Sequence, residues 1–253
     1  MLYVSYCCEL GSVRRKNEDL LLIDDEIVQK CSQKEIKNDH FLTVVADGLG
    51  GHKAGMKAAR TVLECLKQKK PSNRQMIVAT LIEAKRELEE IAAKEIISLA
   101  TALAGIVWKK NEALIFNVGD CRVYKVSPQN IEVLTKDHTL VNELQSIGLK
   151  HQNSNILTSS ISGGIGIEEF EIFFSSTAIE KGEKLLICSD GFWREFENEI
   201  QEIVMSSNIL KIFERIKKRK KLSDNVSFIV VEQKLSFVKR VLDFLKKGKN
   251  RCE

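Results

Sequence analysis

Proline is scarce in this sequence, with two prolines in 253 residues, and no proline-, glycine- or serine-rich linker interrupts it. Internal repeats and low-complexity runs are also lacking, so a repeat architecture is excluded. The length and the 43% share of hydrophobic residues are enough for a full core, as one large domain or two small ones. We interpret residues 1–233 as one domain and residues 234–253 as a tail.

Long apolar runs are missing as well. The longest weakly polar run, Ile96 to Trp108, has 13 residues, whereas a membrane-spanning helix needs about 20. The first residues, "MLYVSYCCELGSVRRK", lack the charged start and the long apolar stretch of a secretion signal. We therefore expect the protein to stay where it is made, in the cytoplasm.

Cysteines at the short spacing of a structural zinc site are absent. The seven cysteines show no C-x-x-C pattern, and several lie in apolar runs, such as Cys188 in "KLLICSD". Because structural zinc favours closely paired ligands, we expect buried, reduced thiols of a cytosolic protein.

The periodicity of the apolar residues predicts strands, then two helices, then more strands. The early strand-like runs are "LYVSYC", "LLLID" and "FLTVVAD". Helical spacing follows in 53–66 and 77–91, with Ser72 or Asn73 as the N-cap of the second helix. The later runs are "TALAGIVWK", "EALIFNVGD", "CRVYKVS", "IEVLT", "NILTS", "FEIFFS", "KLLICSD" and "NVSFIVVEQ", with a helical patch at 198–219.

The spacing of the runs between residues 101 and 127 predicts hairpins, with Gly119-Asp120 as one of the turns. Strands outnumber helices, and hairpins imply antiparallel pairing. The sequence thus predicts an α+β fold of stacked antiparallel sheets with helices on their outer faces.

Carboxylates mark the ends of these strands. Asp47, Asp120 and Asp190 each end an apolar run, while Asp224 and the pair Glu18-Asp19 precede one. Because antiparallel strands alternate in direction, all of these side chains can gather at one edge of the sheets. Carboxylates brought that close repel one another and need a cation. An oxygen-only ligand set without histidine or cysteine favours Mg²⁺ or Mn²⁺ over Zn²⁺.

Glycines follow the first of these carboxylates in "VVADGLGGHKAG", residues 44–55. Glycine lets the backbone approach closely, so that the Gly48 carbonyl can turn onto a metal. The alternative is a tight turn in which Asp47 caps a helix beginning near Lys53. Arg14 lies four residues before Glu18 and suits bidentate capture of a phosphate. The alternative for Arg14 is a solvated basic patch.

These motifs, in this order, resemble the metal-dependent protein phosphatases, the type 2C serine/threonine phosphatases (PPM family). The resemblance covers about residues 5–231 and is carried by "RRKNED", "VVADGLGGHKAG", "NVGDCRVY", "LLICSDGFW" and "SDNVSFIVV", with "LTKDHTLVNEL" as a weaker match. It implies an αββα architecture with four layers, a central antiparallel β-sandwich flanked by helices. It also implies two Mn²⁺ or Mg²⁺ ions at one edge of the sandwich, and a third, looser one.

The resemblance assigns each acidic residue a role. Asp47 would bridge both metals, and Asp190 and Asp224 would hold the first. Glu18 and the Gly48 carbonyl would serve the second metal. Asp120, with Asp190, would hold the third. In the implied reaction a metal-bridging hydroxide attacks phosphoserine or phosphothreonine, Asp19 orients a metal-bound water and Arg14 holds the phosphate. Asp19, Asp47 and Asp190 are thus the implied catalytic residues.

The sequence departs from the family pattern at two places. Leu49 stands where many eukaryotic members have a histidine, and an apolar residue there is typical of bacterial members. The segment between the "LTKDHTLVNEL" helix and "HQNSN" is short, so the flap beside the cleft looks truncated by about seven residues relative to many bacterial members. We therefore predict a more open cleft and a third metal that is held less firmly.

Positive charge is concentrated at the end of the chain. Residues 234–253 carry a net charge of +5, against −1 for the rest, and predict a basic amphipathic helix. That tail either docks on the protein itself or contacts an anionic membrane or a partner weakly. A second basic run, 215–221, is either a solvated helix end or an attractor of acidic phosphoproteins. No aromatic-basic platform indicates nucleic-acid binding.

The resulting prediction is a monomeric serine/threonine protein phosphatase that opposes a serine/threonine kinase. Two alternatives stay open: a catalytically weak module that binds phosphoproteins, and a metallophosphatase acting on small phosphorylated molecules.

Overall fold

Two antiparallel sheets form the centre of the computed structural model, which describes residues 2–49, 53–149, 156–164 and 169–233. The strands in chain order are β1 (Leu2–Glu9), β2 (Leu20–Ile23), β3 (Glu26–Val28), β4 (Ser32–Ile36), β5 (His40–Leu49), β6 (Leu99–Lys109), β7 (Glu112–Val118), β8 (Arg122–Val126), β9 (Ile131–Val133), β10 (Ile161–Gly163), β11 (Phe173–Ala178), β12 (Lys184–Cys188) and β13 (Val226–Gln233). One sheet has the order β4-β1-β13-β12-β8-β9. The other has the order β11-β7-β6-β5-β2-β3, with β10 added beside β6.

The described α-helices are α1 (Lys53–Lys69), α2 (Arg74–Glu95), α3 (Leu140–Ser146), α4 (Asp190–Phe196), α5 (Ile200–Met205) and α6 (Ile209–Lys217), with a 3-10 turn at Glu197–Glu199. The helices α1 and α2 lie on the outer face of one sheet and α4, α5 and α6 on the outer face of the other, whereas α3 has no buried residue. Asn73 is the N-cap of α2, and its side chain accepts a hydrogen bond from the Met76 amide. Because Asn73 satisfies an amide that the first helical turn leaves free, the predicted N-cap is confirmed.

Three apolar layers hold these elements together. The middle layer lies between the sheets and includes Trp108, Ile187 and Ile229. A second layer packs α1 and α2 against the β5–β6 sheet, with Leu63 and Leu81 fully buried. A third packs α4, α5 and α6 against the other sheet around a cluster of phenylalanine rings. The predicted αββα architecture is confirmed.

The predicted hairpin between "EALIFNVGD" and "CRVYKVS" is wrong. Strands β7 and β8 do not pair with each other, because β7 belongs to one sheet and β8 to the other. Gly119, at a φ of +91°, lies in the short connection. The chain therefore crosses from one sheet to the other at Asp120, where spacing alone predicted a tight turn.

The strand before the glycine-rich segment is longer than predicted. β5 continues through Asp47 and Gly48 to Leu49, which pairs with Ala100 of β6. Asp47 and Gly48 are thus part of a strand, and the predicted turn does not begin at Asp47. The strand β3 has only three residues, and β4 is mostly polar, so the apolar pattern of the sequence did not predict either of them. In contrast, of the predicted "NILTS" strand, residues 156–159 form only an isolated bridge between Leu157 and Thr139.

The helix after "KLLICS" was also missed, because Asp190 was interpreted only as the end of a strand. The structure makes Ser189 the N-cap and Asp190 the first residue of α4. A carboxylate in the first turn is favourable at the positive end of a helix.

The expectation that all cysteines are reduced is wrong for one pair. Cys7 and Cys31 form a disulfide, because the antiparallel pairing of Tyr6 with Ser32 brings the next residues of β1 and the β4 segment together. Cys8, Cys65, Cys121 and Cys188 are free and buried, as expected.

Two further predictions concern other parts of the chain. Of the basic run at 215–221, Arg215, Lys217 and Lys220 form ion pairs with surface glutamates, which is typical of a solvated helix end. The predicted helical tail, 234–253, and part of the predicted short flap, 150–155, lie outside the described residues. Within the described ranges, every helix is too short or too polar to cross a membrane.

Candidate active site

The two sheets present carboxylates to the same edge of the sandwich. In one sheet, the register of Leu20 opposite Ala46 places Asp19, directly before β2, beside Asp47 of β5. In the other sheet, Asp190 follows β12 and Asp224 precedes β13, and these two strands pair at Cys188 and Phe228. An amide hydrogen bond of 3.0 Å from Ser189 to the Ser227 carbonyl continues that pairing toward the edge.

A cleft of about 240 Å³ opens between these strand ends. Its lining consists of Arg14, Glu18, Asp47, Gly48, Leu49, Asp190, Asp224 and Asn225. The structure therefore brings together six of the eight residues predicted for the site. The other two, Asp19 and Asp120, are buried carboxylates with exposed fractions of 1% and 5%.

Position 48 must be glycine because two other backbone segments approach it closely. A Cβ at this position would lie 2.4 Å from the carbonyl carbon and oxygen of Gly55 in α1 and 2.7 Å from the Glu18 carbonyl oxygen. No side chain fits there, so the glycine allows the start of α1 and the Glu18 loop to meet β5 at the cleft. The neighbouring Asp47 carbonyl accepts a 2.8 Å hydrogen bond from the Thr101 hydroxyl, which fixes the strand end.

Crowding of the carboxylates changes their acidity. Burial, followed by the charges of Asp190 and Asp224, raises the pKa of Asp19 to about 7. Burial and the charge of Asp19 are the main causes that hold the pKa of Asp47 well above its usual range. These shifts mean that the negative charges are costly without a positive neighbour. The site thus favours a cationic ligand.

The donor set fits hard divalent cations. Among the described residues, the lining of the cleft offers carboxylate and carbonyl oxygens and neither histidine nor cysteine, and such ligands suit Mg²⁺ and Mn²⁺. The Oδ2 atom of Asp19 is buried and has no hydrogen-bond partner in the described parts of the chain. A buried carboxylate oxygen without a partner is costly, so a ligand or an ordered water at this atom would relieve that cost.

Arg14 lies at the rim of the cleft. Its Nη2 atom is 2.6 Å from Oδ2 of Asp224, and its side chain is 52% exposed. The guanidinium thus reaches the carboxylates while it remains accessible from solvent. A planar guanidinium in this position can exchange a carboxylate partner for the oxygens of an entering phosphate.

Asn225 is a site residue that the sequence analysis missed. Its Oδ1 accepts a hydrogen bond from the Glu18 amide (2.9 Å), and its Nδ2 donates to the carbonyls of Leu10 (3.0 Å) and Lys16 (3.1 Å). Asn225 therefore ties the loop that carries Arg14 and Glu18 to the start of β13. The sequence offered no signal for this role beyond its place next to Asp224.

Arg194 is the second residue that was missed. Its Nη2 atom is 3.1 Å from Oδ2 of Asp120 and 3.3 Å from Oδ2 of Asp190. Burial, then the charge of Asp190, raises the pKa of Asp120 to about 7, while the charge of Arg194 acts in the opposite direction. The spacing of an acid and a base four residues apart on a helix could have indicated the pair with Asp190.

The comparisons with known proteins agree on one family. A model of the protein phosphatase 2C family matches residues 21–227. The serine/threonine phosphatase stp of Listeria welshimeri is 26% identical over 259 residues, which cover 92% of this chain and 97% of that relative.

Solved structures have the same fold. The serine/threonine phosphatase of S. agalactiae superposes with a TM-score of 0.79 at 23% identity, covering 92% of this chain and 100% of that one. The catalytic domain of the serine/threonine protein phosphatase PstP, solved in complex with two manganese ions, superposes with a TM-score of 0.72 at 22% identity. That match covers 92% of this chain and 99% of the PstP domain.

Proposed function

Since this chain belongs to the protein phosphatase 2C family, we propose that it is a serine/threonine protein phosphatase that hydrolyses phosphoserine and phosphothreonine. Phosphatases of this family are metal-dependent. The observation that carries the proposal is the cleft in which carboxylates from both sheets meet one accessible arginine. The named activity of the Listeria relative, which this chain matches over nearly its full length, supports the same function.

We propose that the cleft holds two Mn²⁺ or Mg²⁺ ions. Asp47 would contact both, Asp190 and Asp224 would hold one, and Glu18 with the Gly48 carbonyl would hold the other. The two manganese ions in the PstP domain support this number. When bound, such a pair supplies a water that is acidic enough to act as a nucleophile near neutral pH and draws charge from the phosphate.

The side chains of the cleft would prepare the substrate and the water. Arg14 can bind two oxygens of the phosphate, because its guanidinium is exposed at the rim. Asp19 can accept a hydrogen bond from the attacking water through Oδ2, the buried atom that has no hydrogen-bond partner among the described residues. Arg14 would thus orient the phosphorus toward the water, and Asp19 would hold the water in line.

A cysteine nucleophile is disfavoured by the state of the free thiols. Burial raises the pKa of Cys8 and of Cys65 to about 12, and it raises the pKa of Cys121 and Cys188 as well. A thiol must lose its proton to become a nucleophile. None of these four cysteines lines the cleft. The described cysteines therefore favour a reaction that uses oxygen groups at the cleft.

The substrates, the partner and the cellular location follow from the proposed activity. We infer that the substrates are phosphorylated serine/threonine proteins produced by a serine/threonine kinase of the same cell, and that the chain works as a monomer in the cytoplasm. We also propose that the catalytic domain spans residues 1–233, because β13 ends at Gln233 and its pairing with β1 completes one sheet.

The activity test compares two substrates under three metal conditions. The purified full chain is assayed on a phosphothreonine peptide and on p-nitrophenyl phosphate, with Mn²⁺, with Mg²⁺ and with EDTA. We expect peptide turnover with at least one metal and none with EDTA. Asp190→Asn should remove turnover, whereas Asp39→Asn, an exposed aspartate at the other end of β5, should retain it.

Each failure has a separate meaning. A chain that is inert with both metals would contradict an enzyme and favour a module that binds phosphoproteins. Turnover of p-nitrophenyl phosphate alone would contradict the proposed substrate class and favour small phosphorylated molecules. Full activity of Asp190→Asn would contradict the proposed metal ligands.

A further inference from the structure

One turn of α4 reaches both carboxylates of the predicted third metal site. Asp190 is the first residue of the helix, and Arg194 lies four residues later on the same face. A single nitrogen of Arg194, Nη2, contacts Oδ2 of Asp120 at 3.1 Å and Oδ2 of Asp190 at 3.3 Å. The guanidinium therefore lies between the two carboxylates.

Trp193, the residue before Arg194, holds the backbone of Asp120. The indole nitrogen of Trp193 donates a 2.9 Å hydrogen bond to the Asp120 carbonyl oxygen. The Arg194 guanidinium carbon lies 4.9 Å from the centre of the Trp193 ring. Consecutive residues of one helical turn thus hold both the main chain and the side chain of Asp120.

The Trp193 ring is itself held in place. The Arg122 guanidinium lies over it at 3.5 Å. Arg122 in turn makes two short contacts to Asp137, 2.9 Å from Nε to Oδ1 and 2.6 Å from Nη2 to Oδ2. Because Arg122 and Asp137 are linked through two nitrogens, Trp193 has little freedom to turn away. The position of Arg194 is therefore set by packing on several sides.

Asp120 and Asp190 do not fit a third metal in this chain. The Asp120 side chain is only 6% exposed, and its Oδ2 is engaged by Arg194. An arginine stays charged at every pH at which a protein is folded, so its single positive charge permanently offsets part of the negative charge of the two carboxylates. A divalent cation at the same oxygens would have to displace a cation that is already there.

We propose that the Arg194 guanidinium takes the place of a third metal between Asp120 and Asp190, so that this chain binds two metal ions and not three. The inference rests on the proposed function for those two ions. The Arg194 contact with Asp190 is made to Oδ2, so the Oδ1 atom of Asp190 would serve an ion in the cleft. Arg194 is a positioning residue in this account, since it acts through the two aspartates.

The test counts bound metal and does not depend on turnover. The metal-free full chain is titrated with Mn²⁺ alone, and the electron paramagnetic resonance signal of free Mn²⁺ gives the number of ions bound per chain. The variants are Arg194→Met, which keeps the contact with Trp193 but removes the charge, Arg194→Lys, which keeps a charge, and Asp120→Asn. Circular dichroism confirms that each variant is folded.

We expect two bound ions for the wild type, for Arg194→Lys and for Asp120→Asn. Arg194→Met should gain a third, weak ion, and Asp120→Asn in the Arg194→Met background should lose it again. If Arg194→Met fails to fold, the comparison of the wild type with Asp120→Asn decides.

A third ion on the wild type that disappears in Asp120→Asn would overturn the Arg194 inference alone. A folded Arg194→Met that still binds only two ions would overturn it too. A wild type that binds fewer than two ions would instead contradict the proposed function on which the inference rests.

Discussion

The two ends of the sandwich each carry a cavity, and the larger cavity is not the candidate active site. At the far end, beside the start of β1 and the end of β13, a cavity of about 340 Å³ is lined by Glu35, Asp39, Lys37 and Lys110 among others. The cleft at the near end measures about 240 Å³ and sets four carboxylates against one arginine.

Charge balance distinguishes the two cavities better than size does. At the far end, acids and bases occur in equal number and at the surface, where such charges are well solvated. At the near end the carboxylates are crowded and partly buried, and they outnumber the one arginine in the lining, so that an added cation would relieve the repulsion that remains. The comparison indicates that an unbalanced charge of one sign, held by rigid strand ends, identifies the site.

The largest difference in activity between the two ends of the sandwich should appear when one carboxylate is removed at each end of β5. Asp47→Asn should lower phosphatase activity by at least about 100-fold, since even groups that only support a metal ligand cost about 10- to 100-fold. Asp39→Asn should leave the rate unchanged within error. Steady-state kinetics on a phosphothreonine peptide measures both, and similar losses in the two variants would break the comparison.

Metal binding should stabilise the fold through the near end only. Mn²⁺ at about 100 times its dissociation constant adds about 2.7 kcal/mol per site, and about 1 kcal/mol raises the Tm of a chain of this size by about 2–4 °C. We therefore expect a rise of roughly 5–10 °C for each site that Mn²⁺ fills in protein treated with EDTA, and about twice that when both sites are filled.

Differential scanning calorimetry measures that rise. Asp224→Asn should reduce it, because the variant removes a ligand and its charge from the cleft. Asp39→Asn serves as the control and should show the full rise. A Tm that does not respond to Mn²⁺ in the wild type would contradict a metal site at the near end.

A smaller effect is expected for the accessible arginine. Arg14→Ala should lower kcat/KM by about 10- to 100-fold, since a hydrogen bond to a charged group contributes about 1.5–3 kcal/mol. Arg15→Ala, the adjacent exposed residue, is the matched control and should change kcat/KM by less than about 2-fold, as surface substitutions usually do. Equal losses for Arg14→Ala and Arg15→Ala would reduce Arg14 to part of a general basic patch.

The smallest expected effect is a difference in the free energy of unfolding between an asparagine variant at the near end and one at the far end. Asn225→Ala should lower the free energy of unfolding by about 1–3 kcal/mol, because it leaves the carbonyls of Leu10 and Lys16 without their donor. Asn38→Ala, in the lining of the far cavity, should change it by no more than about 0.5 kcal/mol. Urea unfolding in the presence of EDTA measures both values, and an unaffected Asn225→Ala would contradict the anchoring role of Asn225.

The layers of the fold and the acidic residues were predictable because they depend on local patterns. Apolar runs that stop at a carboxylate identify strand ends without any knowledge of pairing, and antiparallel order then places the ends together. The crossing at Asp120 was not predictable, because the sequence pattern of a short connection between two strands predicts a hairpin whether or not the two strands pair. Only the packing of the two sheets decides that β7 and β8 separate.

Contacts between distant segments account for the other misses. Asn225 and Arg194 act on residues that lie far from them in the chain, and neither residue type indicates such a partner by itself. Strands β3 and β4 lie at sheet edges, and one is very short while the other is mostly polar, so their pairing with β2 and β1 leaves little trace in their own composition. Sequence patterns thus identified the donors of the site and missed the residues that hold them.

The distribution of the carboxylates over both sheets has a consequence for the newly made chain. Asp19 and Asp47 belong to one layer, and Asp190 and Asp224 to the other. A half-folded molecule with only one layer formed would hold only half of the proposed metal ligands, and we expect it to have no activity. Dephosphorylation by this chain is then all-or-none with respect to folding, and every active molecule is one whose two layers have already docked.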